Sequence, residues 1–104
     1  MMKKIVLIDR NAERELKRFS YEVRTEFDAH FDILRDKGML EFPEARKVTK
    51  KLFEIRIKFK GEFRGFYAYL RETNIILLHV FRKKTAKTPL KNLKVAERRL
   101  KLHE

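Results

Sequence analysis

The chain has 104 residues and a net charge of +12, with 43% hydrophobic and 40% charged residues. That length is one domain, residues 1–104, and nine Phe and three Tyr supply enough apolar surface for a core, so the high charge does not imply disorder. With no Cys, a disulfide framework and a thiolate metal site are excluded, which fits a cytoplasmic protein.

In chain order, Lys4–Ile8 is a short apolar run ended by Asp9 and reads as a buried strand. It is too short for a signal sequence or a bilayer span. Asp9 or Asn11 can cap a helix whose apolar positions are Ala12, Leu16 and Phe19. Ser20 can cap a second, with Val23, Phe27, Phe31 and Leu34 as its stripe and Gly38 as its stop. The two make a helical hairpin. Met39–Lys51, with Pro43, reads as a connector. The period then changes to two. Phe53, Ile55, Ile57 and Phe59 point one way, and Glu54, Arg56, Lys58 and Lys60 the other. A turn at Gly61 leads into a strand at Phe63–Arg71, and a turn at Glu72–Asn74 into a central strand at Ile75–Phe81. Arg82–Lys87 is a basic loop. Thr88 and Pro89 start a last helix, with Leu93, Ala96 and Leu100 inward and Lys91, Lys94, Arg98, Arg99 and Lys101 outward. The fold class is α+β: an antiparallel three-strand meander, joined by the first strand and backed by the hairpin.

The charge is unevenly placed. Residues 1–45 hold 9 Lys/Arg against 10 Asp/Glu, whereas residues 46–104 hold 18 against 5, a net of +13. An excess confined to one half points to a bound polyanion. A three-residue loop at Lys60–Glu62 and a two-residue turn at Thr73–Asn74 register the meander. One face then carries the rows Lys58–Arg64–Lys83, Arg56–Phe66–Phe81 and Glu54–Ala68–His79. The other carries Phe53, Ile55, Ile57, Tyr67, Tyr69, Ile76, Leu78 and Val80, under the hairpin. Like charges opposed on a sheet call for a counter-anion, and Phe66 and Phe81 beside them suit the stacking of unpaired RNA bases.

Three segments, Leu52-Phe53-Glu54-Ile55-Arg56, Phe63-Arg64-x-Phe66-Tyr67 and Phe81-x-Lys83-Lys84-Thr85-x-Lys87-Thr88-Pro89, resemble RelE-superfamily toxins, closest to the HigB or phage-derived Gp49-like branch. The element order matches along essentially the whole chain. The resemblance implies the toxin of a type II toxin–antitoxin system. It would be a ribosome-dependent mRNA interferase that cuts by attack of a ribose 2′-OH on the adjacent phosphate, with no metal or cofactor. It implies catalytic roles for Arg56, Arg64 and Lys83, and RNA binding by Lys58, Phe66, Arg82, Lys84 and Lys87. RelE itself has a Tyr after the basic segment, where this chain has Thr85, Ala86 and Lys87, so stacking falls to Phe66 or another ring.

Glu54 and His79 are the acid–base candidates, two strands apart at roughly 10 Å. The alternative is a cation cluster that stabilises the phosphate with ribosomal help. His30 reads as surface, and His103 as part of a frayed end. Arg64→Ala is expected to abolish cutting and leave the fold intact. Expected partners are an acidic, partly disordered antitoxin, the ribosome and mRNA, and no membrane. The other readings are a ParE-like gyrase inhibitor, which would need no cationic row, and a non-catalytic RNA-binding module.

Overall fold

The computed structural model describes residues 3–41, 43–87 and 89–104. Its elements are β1 (Ile5–Ile8), α1 (Arg10–Lys17), α2 (Tyr21–Lys37), β2 (Ala45–Lys47), β3 (Phe53–Lys58), β4 (Glu62–Leu70), β5 (Asn74–Lys83) and α3 (Leu90–His103). The strands form one sheet in the order β1-β5-β4-β3-β2. β1 runs parallel to β5 and the other pairs are antiparallel. The segment expected as a connector thus supplies a short edge strand, β2. Among the described residues no helix is long and apolar enough to cross a membrane.

The helix boundaries follow their caps. Asp9 Oδ1 accepts from the backbone N–H groups of Asn11 and Ala12 and starts α1. Ser20 Oγ accepts from Val23 N–H and starts α2. Gly38 ends α2 at φ +77°, a left-handed position that glycine takes without strain. The cap expected from Thr88 lies outside the described residues. α1 and α2 cover one face of the sheet, where Ala12, Leu16, Val23, Phe27, Phe31 and Leu34 pack with Ile55, Ile57, Phe63, Tyr67, Ile75, Leu77 and Val80. α3 covers part of the other, where Leu93, Ala96 and Leu100 pack with Leu52, Phe66, Ala68, Ile76 and Leu78.

The register differs from the expected one at both turns. The first loop is Phe59–Gly61, so Lys58 pairs with Glu62 and Arg56 with Arg64. Lys60 and Gly61 both have positive φ, and a Cβ at Gly61 would stand 2.9 Å from Arg82 Nη2. The second loop is Arg71–Thr73, with Leu70 paired to Asn74. This reverses the faces expected near that turn, so Ile76 and Leu78 join the α3 side and Ile75 and Leu77 the hairpin side. An irregularity between Tyr67, paired with Leu77, and Phe66, paired with His79, adds one residue to β5. A bulge of this kind restores the alternation beyond it. His79, Phe81 and Lys83 therefore share a face with Glu54, Arg56 and Arg64 as expected, in rows slipped by two residues.

α3 is also tied down by a polar cluster. Arg99 donates to both Glu15 oxygens, from Nη1 at 2.9 Å and from Nη2 at 3.0 Å, and to Leu78 O at 2.9 Å. His79 Nδ1 lies 2.8 Å from Glu15 Oε1, and its Nε2 lies 2.6 Å from Asn92 Oδ1. Arg99 is therefore half-buried rather than part of the outer basic face. Near the C-terminus His103 Nε2 lies 2.8 Å from Asp9 Oδ2, so that histidine is engaged rather than frayed.

Two outcomes are expected. A Cβ at Gly65 would stand 2.9 Å from Phe27 Cε1 and 3.3 Å from both Leu77 Cδ1 and Val80 Cγ1. Gly65→Ala should therefore cost about 1–3 kcal/mol through overpacking, measured by urea unfolding. Burial alone would raise the Glu15 carboxyl, but hydrogen bonds from His79 and Arg99 hold it at about 2, below its ordinary 4.5. A depressed carboxylate stabilises the fold above its unfolded pKa and loses that contribution as it protonates. The Glu15 tie should be complete above pH 4.5 and fail as pH falls toward 2. Unfolding curves across that window should show the loss, and Glu15→Gln should flatten it.

Candidate active site

The open end of the α3 face is built by β3, β4 and the last residues of β5. Alternation along β4 sends Glu62, Arg64 and Phe66 to this side, and pairing sets Arg56 and Phe81 on either side of Arg64. Arg64 is among the most buried side chains of the protein, at 2% exposure. Its Nη1 donates to Phe63 O at 3.0 Å and its Nη2 to Glu62 Oε1 at 2.8 Å. Its Nε faces Glu54 Oε1 at 3.7 Å and makes no hydrogen bond among the described residues. Glu54, itself 1% exposed, accepts from Arg46 Nε at 3.1 Å through the same oxygen, and its Oε2 has no hydrogen-bond partner among the described residues. A buried guanidinium thus stands between two carboxylates, one inside and one at the rim.

The rim is an open depression of about 250 Å³, lined by Pro43, Arg56, Ile57, Lys58, Glu62 and Arg64. Arg56 is half-buried and Lys58 exposed. Across the strands the row is Lys58–Glu62–Lys83, so the expected opposition of Lys58, Arg64 and Lys83 is broken by a carboxylate. The Arg64 hydrogen bond and charge, with Lys58 and Lys83 adding to it, hold the Glu62 carboxyl below its ordinary range.

The structure brings Glu54, Arg56, Lys58, Arg64 and Lys83 to one end of one face. Other candidates fall elsewhere. Phe66 is fully buried beneath α3, 5.3 Å from the Phe81 ring, and presents no face to a base. Its burial follows from α3, whose apolar stripe needs an apolar surface. Arg82 points to the hairpin face, where it covers the Phe63 ring at 5.8 Å and donates to Lys60 O at 3.3 Å. His79 shares the row Glu54–Phe66–His79, but Glu15 and Asn92 hold its ring nitrogens and it stacks on Phe81 at 5.2 Å. Glu54 and His79 are therefore separated by Phe66 rather than joined across a shared opening. Lys84 and Lys87 are exposed beyond the end of β5. Sequence reasoning did not mark Arg46 or Glu62 as members of the site. Arg46 sits on the unexpected strand β2, opposite Glu54. Glu62 falls within the expected turn, and moving that turn by one position puts it in the row.

Comparison with curated protein sequences finds no match. Solved structures do match. An arginine double mutant of the E. coli toxin RelE in the free state superimposes with a TM-score of 0.73 at 13% identity, covering 95% of this chain and 99% of that one. The toxin–antitoxin complex RelBE from Mycobacterium tuberculosis matches at 0.61 and 16% identity, covering 78% and 99%. The intact E. coli RelBE toxin–antitoxin complex matches at 0.62 and 14%, covering 79% and 99%. At these identities the likeness is one of fold. The family model described as phage-derived protein Gp49-like matches residues 14–101. The chain is a member of the phage-derived Gp49-like family, built on the RelE toxin fold.

Proposed function

We propose that the chain is the toxin of a toxin–antitoxin pair and acts in the cytoplasm as a ribosome-dependent endoribonuclease on mRNA. The observation that carries this reading is the buried Arg64 guanidinium, held between Glu54 and Glu62 and opening with Arg56 and Lys58 onto one depression. The family membership and the fold shared with the RelE toxin and RelBE complexes support it.

Arg64 and Arg56 receive the scissile phosphate, because guanidinium forks match its paired oxygens and stabilise the charge that builds in the transition state. The ribose 2′-oxygen attacks phosphorus as the bond to the 5′-oxygen breaks, giving a 2′,3′-cyclic phosphate and a 5′-hydroxyl. Glu54, 1% exposed, holds the Arg64 guanidinium in place rather than reaching the substrate. The 2′-hydroxyl proton leaves to a group of the ribosomal complex, and Lys83 supplies one to the leaving oxygen. Lys58, Lys84 and Lys87 hold flanking phosphates. With Phe66 buried, the half-buried Phe81 opposite Arg64 is the ring left for a base. The scheme draws on no metal or cofactor. An acidic antitoxin would cover the same cations.

Primer extension on mRNA from cells expressing the protein, and on purified translating ribosomes, tests this. Cuts are expected only in translated message. Arg56→Ala, at a half-buried position, should lower the cutting rate roughly 10²–10³-fold, the usual cost of removing one such donor. Intact message on translating ribosomes, or wild-type cutting by Arg56→Ala, would sink the reading. Arg64→Ala is a poorer probe than the sequence suggested, because it strands the buried Glu54. Breaking a buried pair costs about 3–5 kcal/mol, so its unfolding midpoint should fall well below that of Arg56→Ala.

A further inference from the structure

Glu62 has no part in the scheme above, yet it sits at the rim directly on the Arg64 guanidinium. Its Oε1 takes the Nη2 donor of Arg64 at 2.8 Å, and it lies between Lys58 and Lys83 in the cross-strand row. It lines the same depression as Arg56, Lys58 and Arg64. Unlike Glu54, it is at the surface, with 44% of its side chain exposed. Its hold on Arg64 is a single hydrogen bond from Nη2, which a phosphate oxygen can replace.

We propose that Glu62 is a substrate-selecting residue: its carboxylate holds the phosphate position on Arg64, and only a nucleic-acid strand with further contacts displaces it. The inference rests on the reading of this depression as the phosphate site. The exchange swaps one negative charge for another, so Lys58, Lys83 and Arg64 stay neutralised before and after. A free phosphate gains only the contacts that Glu62 gives up. A strand also draws on Lys58, Lys83, Lys84 and Lys87. The apparent affinity of every anion falls by the same fraction, that of molecules in which Glu62 has swung clear, so Glu62 sets a threshold that a singly held phosphate does not reach and a multiply held strand does. The depressed Glu62 carboxyl keeps this occupant charged through the physiological range.

The test is the binding of two probes, inorganic phosphate and a 2′-O-methyl RNA oligonucleotide that lacks the attacking hydroxyl, to the full chain. Glu62→Gln removes the competing charge and should tighten both by about five- to tenfold. Glu62→Asp keeps the charge but shortens the reach, and should tighten them in the same direction if displacement from Arg64 is the cause. In the wild-type chain the ¹³C signal of the Glu62 carboxyl should shift as the oligonucleotide is added. The inference fails if Glu62→Gln binds no tighter than wild type, if Glu62→Asp behaves as wild type while Glu62→Gln tightens, or if neither probe binds any variant. It also fails if the oligonucleotide binds and the Glu62 carboxyl does not respond. Thermal unfolding of both variants verifies that each is folded. Tightened binding with no cutting on ribosomes would sink the nuclease reading and leave this one standing. Normal cutting with unchanged affinities would do the reverse.

Discussion

A guanidinium buried between two carboxylates governs the basic end of this sheet. Moving one charge out of water costs several kcal/mol, and the loss is recovered only when partners are held in good geometry. Arg64 has such partners because β3 and β4 pair in one register only, with Glu54 on the neighbouring strand and Glu62 two residues back on its own. A slip of one residue would send Arg64 to the hairpin side, where Phe27 packs against the neighbouring Gly65. The charge pair and the hydrophobic pattern therefore select the same pairing. The dense positive charge is also made tolerable here, because Arg46, Arg64, Lys58 and Lys83 each stand beside Glu54 or Glu62.

The position of α3 decides how much of that face remains open. Its stripe of Leu93, Ala96 and Leu100 seals Phe66, Ala68, Ile76 and Leu78, and Arg99 fixes its position through Glu15 and the Leu78 carbonyl. That carbonyl belongs to the extra residue in β5. The same irregularity turns His79 toward Glu15 and Asn92 and brings Lys83 back to the cationic side. One added residue thus serves both the docking of the last helix and the alignment of the site.

Element types were legible in the sequence because their signals are local: Asp9 and Ser20 as caps, Gly38 as a stop, and strict alternation through Phe53–Phe59. Face membership of Glu54, Arg56, Lys58 and Arg64 was legible for the same reason. Pairing was not. Lys60 and Arg71 adopt positive φ without being glycine, so the turns fall where composition alone does not put them. Nor does any local pattern announce the irregularity at Leu78, whose carbonyl is met by Arg99 from a helix distant in sequence. The burial of Phe66 was missed because an apolar residue in a strand looks the same whether a helix or a ligand covers it. β2 was missed because Ala45–Lys47 has only three residues and its partner strand is distant in sequence.

The shape of the depression bears on what could supply sequence choice. It is open rather than enclosed and lined by Arg56, Lys58, Glu62 and Arg64, and on the proposed reading it grips a phosphate without enclosing a base. Hydrogen bonds to base edges give discrimination, whereas phosphate contacts give position. The row of Lys58, Glu62 and Lys83 has no donor–acceptor pattern that distinguishes one base from another. A strand gripped this way must be registered by something outside the chain. On the proposed reading, a ribosome that holds message in a fixed frame would supply that register.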